Sequence, residues 1–406
     1  AALFLETFKM ADFPVKWFSS DMGGSPENGD QHGALIELLK ACLVTGFNTK
    51  PIASLTYDST TQQATASVGS GHGYLKWQVI AISGADQAGY NGEHRVTAIG
   101  SDWVRFALDT APAATEATGD LIEIKAAPVE GWELVAEDAE TFRAAFKRTD
   151  ERATDLTLVV ENGDRNQYSS SAGNNRFALI SWVTGFVDLD TYDLGAEHYW
   201  PYSDYYLRTS QSWVFLADQL MMFFAPRMGY ANKRGLVMAG DINTVRPGDA
   251  YHALLVGIAS SVSWSNNQPY YPRSLTYGED YACYLNRGSS QLPGEVDASL
   301  MGIGDKMSDV IGYPNASDNG FYISLGSIIV REGETGTVSG LREKQSIRGY
   351  LPGVLEPLHY ATGYDLAILD NLPGLAGVPV LLFDVAVDER GTTDGMIAFR
   401  LDDWRQ

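Results

Sequence analysis

The densest group of ionisable side chains is Asp188-Leu189-Asp190-Thr191-Tyr192-Asp193, with Glu197 and His198 just beyond. Carboxylates this close suit two chemistries. A calcium loop takes carboxylates at alternate positions and needs a glycine for its sharp turn. Asp188 and Asp190 fit that spacing, but Asp193 does not, and no glycine lies between them. A glycoside hydrolase uses two carboxylates as acid and nucleophile. Nothing in the sequence sets their separation, so a polysaccharide hydrolase using Asp188, Asp190 or Glu197 ranks last among three readings. Exposed turn and cap residues are the preferred account of the cluster.

The other chemical motifs are missing or incomplete. The histidines His32, His72, His94, His198, His252 and His359 form no H-x-x-x-H or H-x-H pair, so they give no zinc signal. No G-x-S-x-G offers a nucleophile. Gly302-Ile303-Gly304-Asp305-Lys306 lacks the spacing of a phosphate loop. No catalytic, cofactor-binding or metal-ligating residue is therefore nominated, no cofactor is expected, and the chain is read as a non-enzyme.

Two aromatic clusters carry more information. Tyr199-Trp200-Pro201-Tyr202 with Tyr205 and Tyr206 forms the first. Pro269-Tyr270-Tyr271-Pro272 with Tyr277, Tyr281 and Tyr284 forms the second. Aromatic faces stack on sugars, and Tyr and Trp anchor protein interfaces. The candidate partner or glycan contacts are Tyr199, Trp200, Tyr202, Tyr205, Tyr206, Tyr270 and Tyr271. The bland alternative, which is preferred, is that they pack a β-rich core or an intersubunit seam.

These residues must be positioned by a chain of 406 residues, enough for two or three domains. A hydrophobic share of 45% allows a large core. Plentiful Gly, Tyr and Phe favour pleated strands joined by tight turns. The net charge of −22 repels phosphate backbones and anionic lipid, so neither nucleic acid nor membrane insertion is expected. Cys42 and Cys283, the two cysteines, make no disulfide framework and read as buried small hydrophobes. No run of about 18 apolar residues occurs to span a bilayer, and residues 1–10 lack the pattern of a signal peptide.

Apolar residues recur at helical spacing over Gly33–Val44, with Gly46 as the stop. From Pro51 the pattern changes to short strands: Ser54–Tyr57, Gln63–Val68, Trp77–Ile82, His94–Ile99, Trp103–Leu108 and Gly119–Ile124. This spacing predicts a small β-sandwich or barrel over residues 49–127, after an N-terminal segment 1–48 bearing the helix. Residues 128–406 form a larger β-rich domain with long loops, as one unit or two packed subdomains. Its strands include Trp132–Val135, Phe142–Lys147, Leu156–Glu161, Phe177–Trp182, Gly235–Ala239, Phe321–Val330, Ser346–Tyr350, Val380–Val387 and Met396–Leu401. Ser212–Ala217 and Leu220–Phe224 read as a hairpin turning at Asp218–Gln219. Asp249 is expected to cap a short helix, Ala250–Val256, closed by Gly257. Residues 262–320 read as long loops with few regular elements.

Several stretches resemble a known family. Gly71-His72-Gly73-Tyr74, Val79-Ile80-Ala81-Ile82-Ser83-Gly84-Ala85, Tyr90-Asn91-Gly92-Glu93-His94-Arg95-Val96-Thr97-Ala98-Ile99 and Trp103-Val104-Arg105-Phe106 resemble a small β domain of tailed-phage virion proteins. Lys16-Trp17-Phe18-Ser19-Ser20-Asp21-Met22-Gly23-Gly24, followed by the helix, is similar to the opening of a tail-tip or baseplate family. That family belongs to transposable siphophages of Gram-negative hosts and related prophages. Trp213-Val214-Phe215-Leu216, Arg246-Pro247-Gly248-Asp249-Ala250-Tyr251 and Gly349-Tyr350-Leu351-Pro352-Gly353 also fit it.

The resemblance implies a structural part of a phage tail tip or baseplate. It would be made in the bacterial host cytoplasm and built into the virion tail. Its partners would be other tail proteins and symmetric copies of itself around the tail axis. The alternative is a receptor-binding module for a host surface glycan or pilus, motivated by the aromatic clusters.

Overall fold

In the computed structural model the described residues are 13–29, 31–163, 177–202, 211–228, 233–259, 281–287, 296–301, 323–324, 326–332, 347–357, 363–386 and 394–405. The fold is mainly β, as composition and strand spacing predict. Among the described residues, one short helix near the N-terminus accompanies antiparallel strands in three sheets.

The helix spans Ala34–Lys40 and runs on as a wider π turn, Ala41–Thr45. Leu35, Ile36, Leu38, Leu39, Cys42 and Leu43 are buried, which is the apolar face the spacing predicts. Gly46 ends it at φ +71°, where a Cβ would lie 2.3 Å from the Ala126 carbonyl oxygen. Only glycine fits there.

A seven-stranded sheet forms the small β unit. Its order is Phe47–Pro51, Glu123–Ala126, Val79–Ser83, Gly92–Ile99, Trp103–Ala107, Gln63–Ser67, Ser54–Asp58. It curls around its own core, which includes Leu55, Ile80, Tyr90, Val96, Phe106 and Ile124. Alternate residues of Trp103–Ala107 and Gln63–Ser67 face inward, the two-residue period of a half-buried strand. Gly92 takes φ +110° at the strand start. Asn91 instead stays extended and pairs both side-chain polar atoms with the Ala85 backbone, at 3.0 and 2.7 Å.

The largest sheet has sixteen strands. One path runs from Trp132–Asp138 through Arg143–Arg148, Thr157–Glu161, Phe177–Asp188 and Thr191–Pro201 to Ala253–Ala259. It continues through Tyr281–Leu285, Val296–Met301, Ile329–Glu332 and Ile347–Tyr350 to Asn243–Thr244. A second wing leaves Ala253–Ala259 through Val237–Asp241, Met221–Met228 and Trp213–Ala217 to the N-terminal strand Lys16–Ser19. The helix and the strand Lys16–Ser19 thus share the core of this sheet. A five-stranded sheet adds Ile323–Ser324, Val354–Pro357, Asp394–Arg400, Leu375–Ala386 and Ala367–Leu372.

Three expectations need correction. Residues 253–259 are a central strand, not the end of a helix. The run Ala253–Ile258 is buried throughout, and a short apolar run buried on both faces suits a strand as well as a helix. Asp249 caps no helix; its carboxylate accepts from Arg348 Nη2 at 2.7 Å. The hairpin after Trp213 turns one residue later than expected. Asp218 N–H donates to the Met221 carbonyl at 2.9 Å, so Gln219–Leu220 is the turn. The Asp218 side chain accepts the N–H groups of Leu220 and Met221 at 2.8 and 2.7 Å. Residues 262–320, read as long loops with few regular elements, include the strands Tyr281–Leu285 and Val296–Met301 among the described residues.

Candidate functional site

Trp200 and Tyr202 are fully buried and Tyr199 is 4% exposed. The long strand Thr191–Pro201 carries Tyr199 and Trp200 into the fork where the two wings of the large sheet part, with Tyr202 just past its end. There the Trp200 indole N–H donates to the Val256 carbonyl at 2.9 Å, and Trp182 does the same to Leu254 at 3.0 Å. Trp200 also packs on Phe224, with ring centroids 6.3 Å apart. Tyr199 joins a smaller cluster with Leu179 and Ile258. These three aromatics therefore pack the chain's interior. Tyr205, Tyr206, Tyr270, Tyr271 and Tyr277 lie outside the described residues, as do Gly302–Lys306 and His359. Tyr284 stacks on His198, with centroids 4.4 Å apart. Burial lowers the His198 pKa to about 4, because a desolvated imidazolium is disfavoured.

The acidic cluster is spread along a hairpin. Asp188 faces Thr191 across its tip. Its carboxylate accepts the Asp190 N–H at 2.9 Å, and that bond lowers its pKa. Asp190 pairs with Arg143 at 2.6 Å. Glu197 lies opposite Ser181 on the same long strand. Six residues at about 3.4 Å each put it roughly 20 Å beyond Thr191. Glycosidase carboxyls stand about 5–9.5 Å apart, so Glu197 and the tip aspartates make no such pair.

His72 serves the fold. His72 is buried between Gly71 and Gly73, and its Nδ1 accepts the Tyr74 N–H at 3.0 Å. Its Nε2 is therefore the protonated nitrogen and donates to the Gly100 carbonyl at 3.0 Å. Beside it, Gly23 N–H donates to the Gly73 carbonyl at 2.8 Å. The backbones meet so closely that a Cβ on Gly73 would lie 2.5 Å from Gly23 Cα. Trp17 Nε1 to the Trp77 carbonyl at 3.2 Å and a Lys16–Glu93 ion pair add to this seam, and Arg95 Nη2 reaches the Leu401 carbonyl at 2.6 Å just past the five-stranded sheet's strand Asp394–Arg400. Together they fix the small sheet on the large one.

A concave feature with ionisable walls lies elsewhere, at the start of the helix. It encloses about 550 Å³ between residues 26–41 and the turn after the strand Trp132–Asp138. Ile36 is buried in its wall, and Ala34, Ala41 and Phe142 are half-buried. Glu27, Glu37, Glu137 and Asp138 supply carboxylates. Lys40 bridges Glu37 at 3.0 Å and Glu137 at 2.8 Å. The Thr141 hydroxyl, donating to Asp138 at 2.6 Å, lowers the Asp138 pKa. Asn162 organises the wall: its Oδ1 accepts the Leu35 N–H at 2.8 Å and its carbonyl accepts the Gly33 N–H at 3.1 Å. Sequence reasoning missed this cleft, because its residues come from segments about 100 positions apart and form no local motif.

No protein-family model matches this chain, and no curated protein matches it.

Proposed function

We propose that this chain is a structural component of a phage tail tip or baseplate, acting through protein contacts and not through catalysis. The observation that carries this reading is how the stretch bearing the family-like residues is built. Gly71–Phe106 supplies three neighbouring strands of the small sheet. It also supplies the glycine-to-glycine seam that locks this sheet to the larger one. Two β bodies joined without slack suit a part that positions its neighbours. The sixteen-stranded sheet adds a broad rigid surface. Burial of Trp200 and Tyr202 favours packing over their use as glycan contacts. Copies arranged around the tail axis would repeat one interface, and the net charge of −22 favours basic neighbours.

The test is compositional. Particles are purified, tails are sheared from capsids, and the tail fraction is digested and sequenced by mass spectrometry. Peptides of this chain should co-purify with tails at a fixed ratio to the other tail proteins. Their absence from particles, with the protein abundant in the lysate, overturns the reading.

A further inference from the structure

We propose that the cleft beside the helix receives a lysine or arginine side chain from a neighbouring protein. The identity of that neighbour rests on the tail reading; the chemistry of the cleft does not. Ile36, Ala34 and Ala41 offer an apolar wall, suited to the methylene stem of a long basic side chain. Glu27, Glu37, Glu137 and Asp138 surround it with carboxylates. Arg143 also lines the cleft but is matched by Asp190. Lys40 offsets one of the four carboxylates, so among the described residues an excess of negative charge faces a guest. An acid guest is repelled, a neutral one leaves that charge uncompensated, and a basic one complements it.

The cleft lies at an edge of the large sheet. Trp132–Asp138 is the last strand on its side of the large sheet, paired only with Arg143–Arg148 among the described strands. Its register breaks at a bulge opposite Ala145 and Phe146, and Glu133 and Glu137 are exposed along it. Bulges and charges on an edge discourage strand addition. Insertion of a single side chain at the end of that edge is therefore the mode of contact.

Full-length protein is titrated with fluorescein-labelled tetralysine, and with tetraglutamate as control, reading anisotropy at about 50 and about 300 mM salt. Three variants are compared. Glu37→Gln with Glu137→Gln removes charge at the cleft. Ala139→Trp fills the cleft from an exposed turn without changing charge. Asp58→Asn with Glu116→Gln removes the same charge from the distant small sheet. Tetralysine should bind the native protein, about tenfold more weakly after either cleft change and within about twofold after the remote pair. Equal weakening by the remote pair, no effect of Ala139→Trp, or no binding to native protein overturns the proposal. So does a dimer in sedimentation that the cleft variants dissolve, since a second copy would then be the occupant. Tail composition is measured on particles, so either result can fail without the other.

Discussion

Replacing Trp200 separates a packing role from a ligand role. The indole is fully buried, donates to the Val256 carbonyl at 2.9 Å and lies against Phe224. Truncating a buried Trp to Ala costs about 3–5 kcal/mol, as transfer of the ring plus the cavity it leaves. The lost hydrogen bond is included in that range at about 1 kcal/mol. Trp200→Phe keeps most of the apolar volume and loses the N–H, so about 1–2 kcal/mol is expected. Urea unfolding followed by far-ultraviolet circular dichroism measures both, since nine tryptophans complicate a fluorescence signal. The midpoint should fall in the order native, Phe, Ala, with an unchanged slope. If Trp200→Ala unfolds within about 0.5 kcal/mol of the native protein while host adsorption is lost, the indole is a ligand contact and its assignment to the core is wrong.

His198 gives a pH prediction. Its folded pKa is about 4 against about 6.5 unfolded, so the unfolded chain binds the proton first on acidification. Stability from this site is complete above about pH 6.5 and falls as pH drops towards 4, by about 3 kcal/mol in all. His198→Phe should flatten that part of the stability profile in urea melts; an unchanged slope between pH 6.5 and 4 refutes the assignment. Gly73→Ala places a Cβ against Gly23 at a φ of +72°. It should cost at least about 1–2 kcal/mol from the left-handed backbone alone and raise proteolysis at the seam, and normal protease resistance would contradict the seam. Arg405 donates to both Asp218 oxygens, at 2.6 and 3.1 Å, and to the Asp241 carbonyl at 2.8 Å. Arg405→Ala strands a buried carboxylate and should cost about 3 kcal/mol, read as a drop in melting temperature; a change of under about 1 degree would show the pair to be dispensable.

Much of the fold was legible because its signals are local. The helix at Ala34–Lys40 shows its apolar face in the spacing of Leu35, Leu38, Leu39 and Cys42. The strands of residues 49–127 show theirs in alternation, as at Ala64 and Ala66. Residues 253–259 misled because an apolar run buried on both faces loses the period that tells strand from helix. The hairpin turn slipped by one residue because the Asp218 carboxylate holds the turn from its first position. The site was less legible. The sequence favours packing for Trp200 over ligand contact but does not show where it packs, because the fork it fills exists only once two sheet wings converge on Ala253–Ala259. The carboxylates of the cleft lie on chain segments far apart in sequence, brought together by the Lys40–Glu137 ion pair and by the helix that Asn162 organises.

Gold-labelled antibody against this chain, applied to intact particles and viewed by electron microscopy, tests the tail assignment most directly. Label should sit at the end of the tail distal to the capsid, on most particles. Label on capsids, or bare particles alongside free labelled protein, would contradict it.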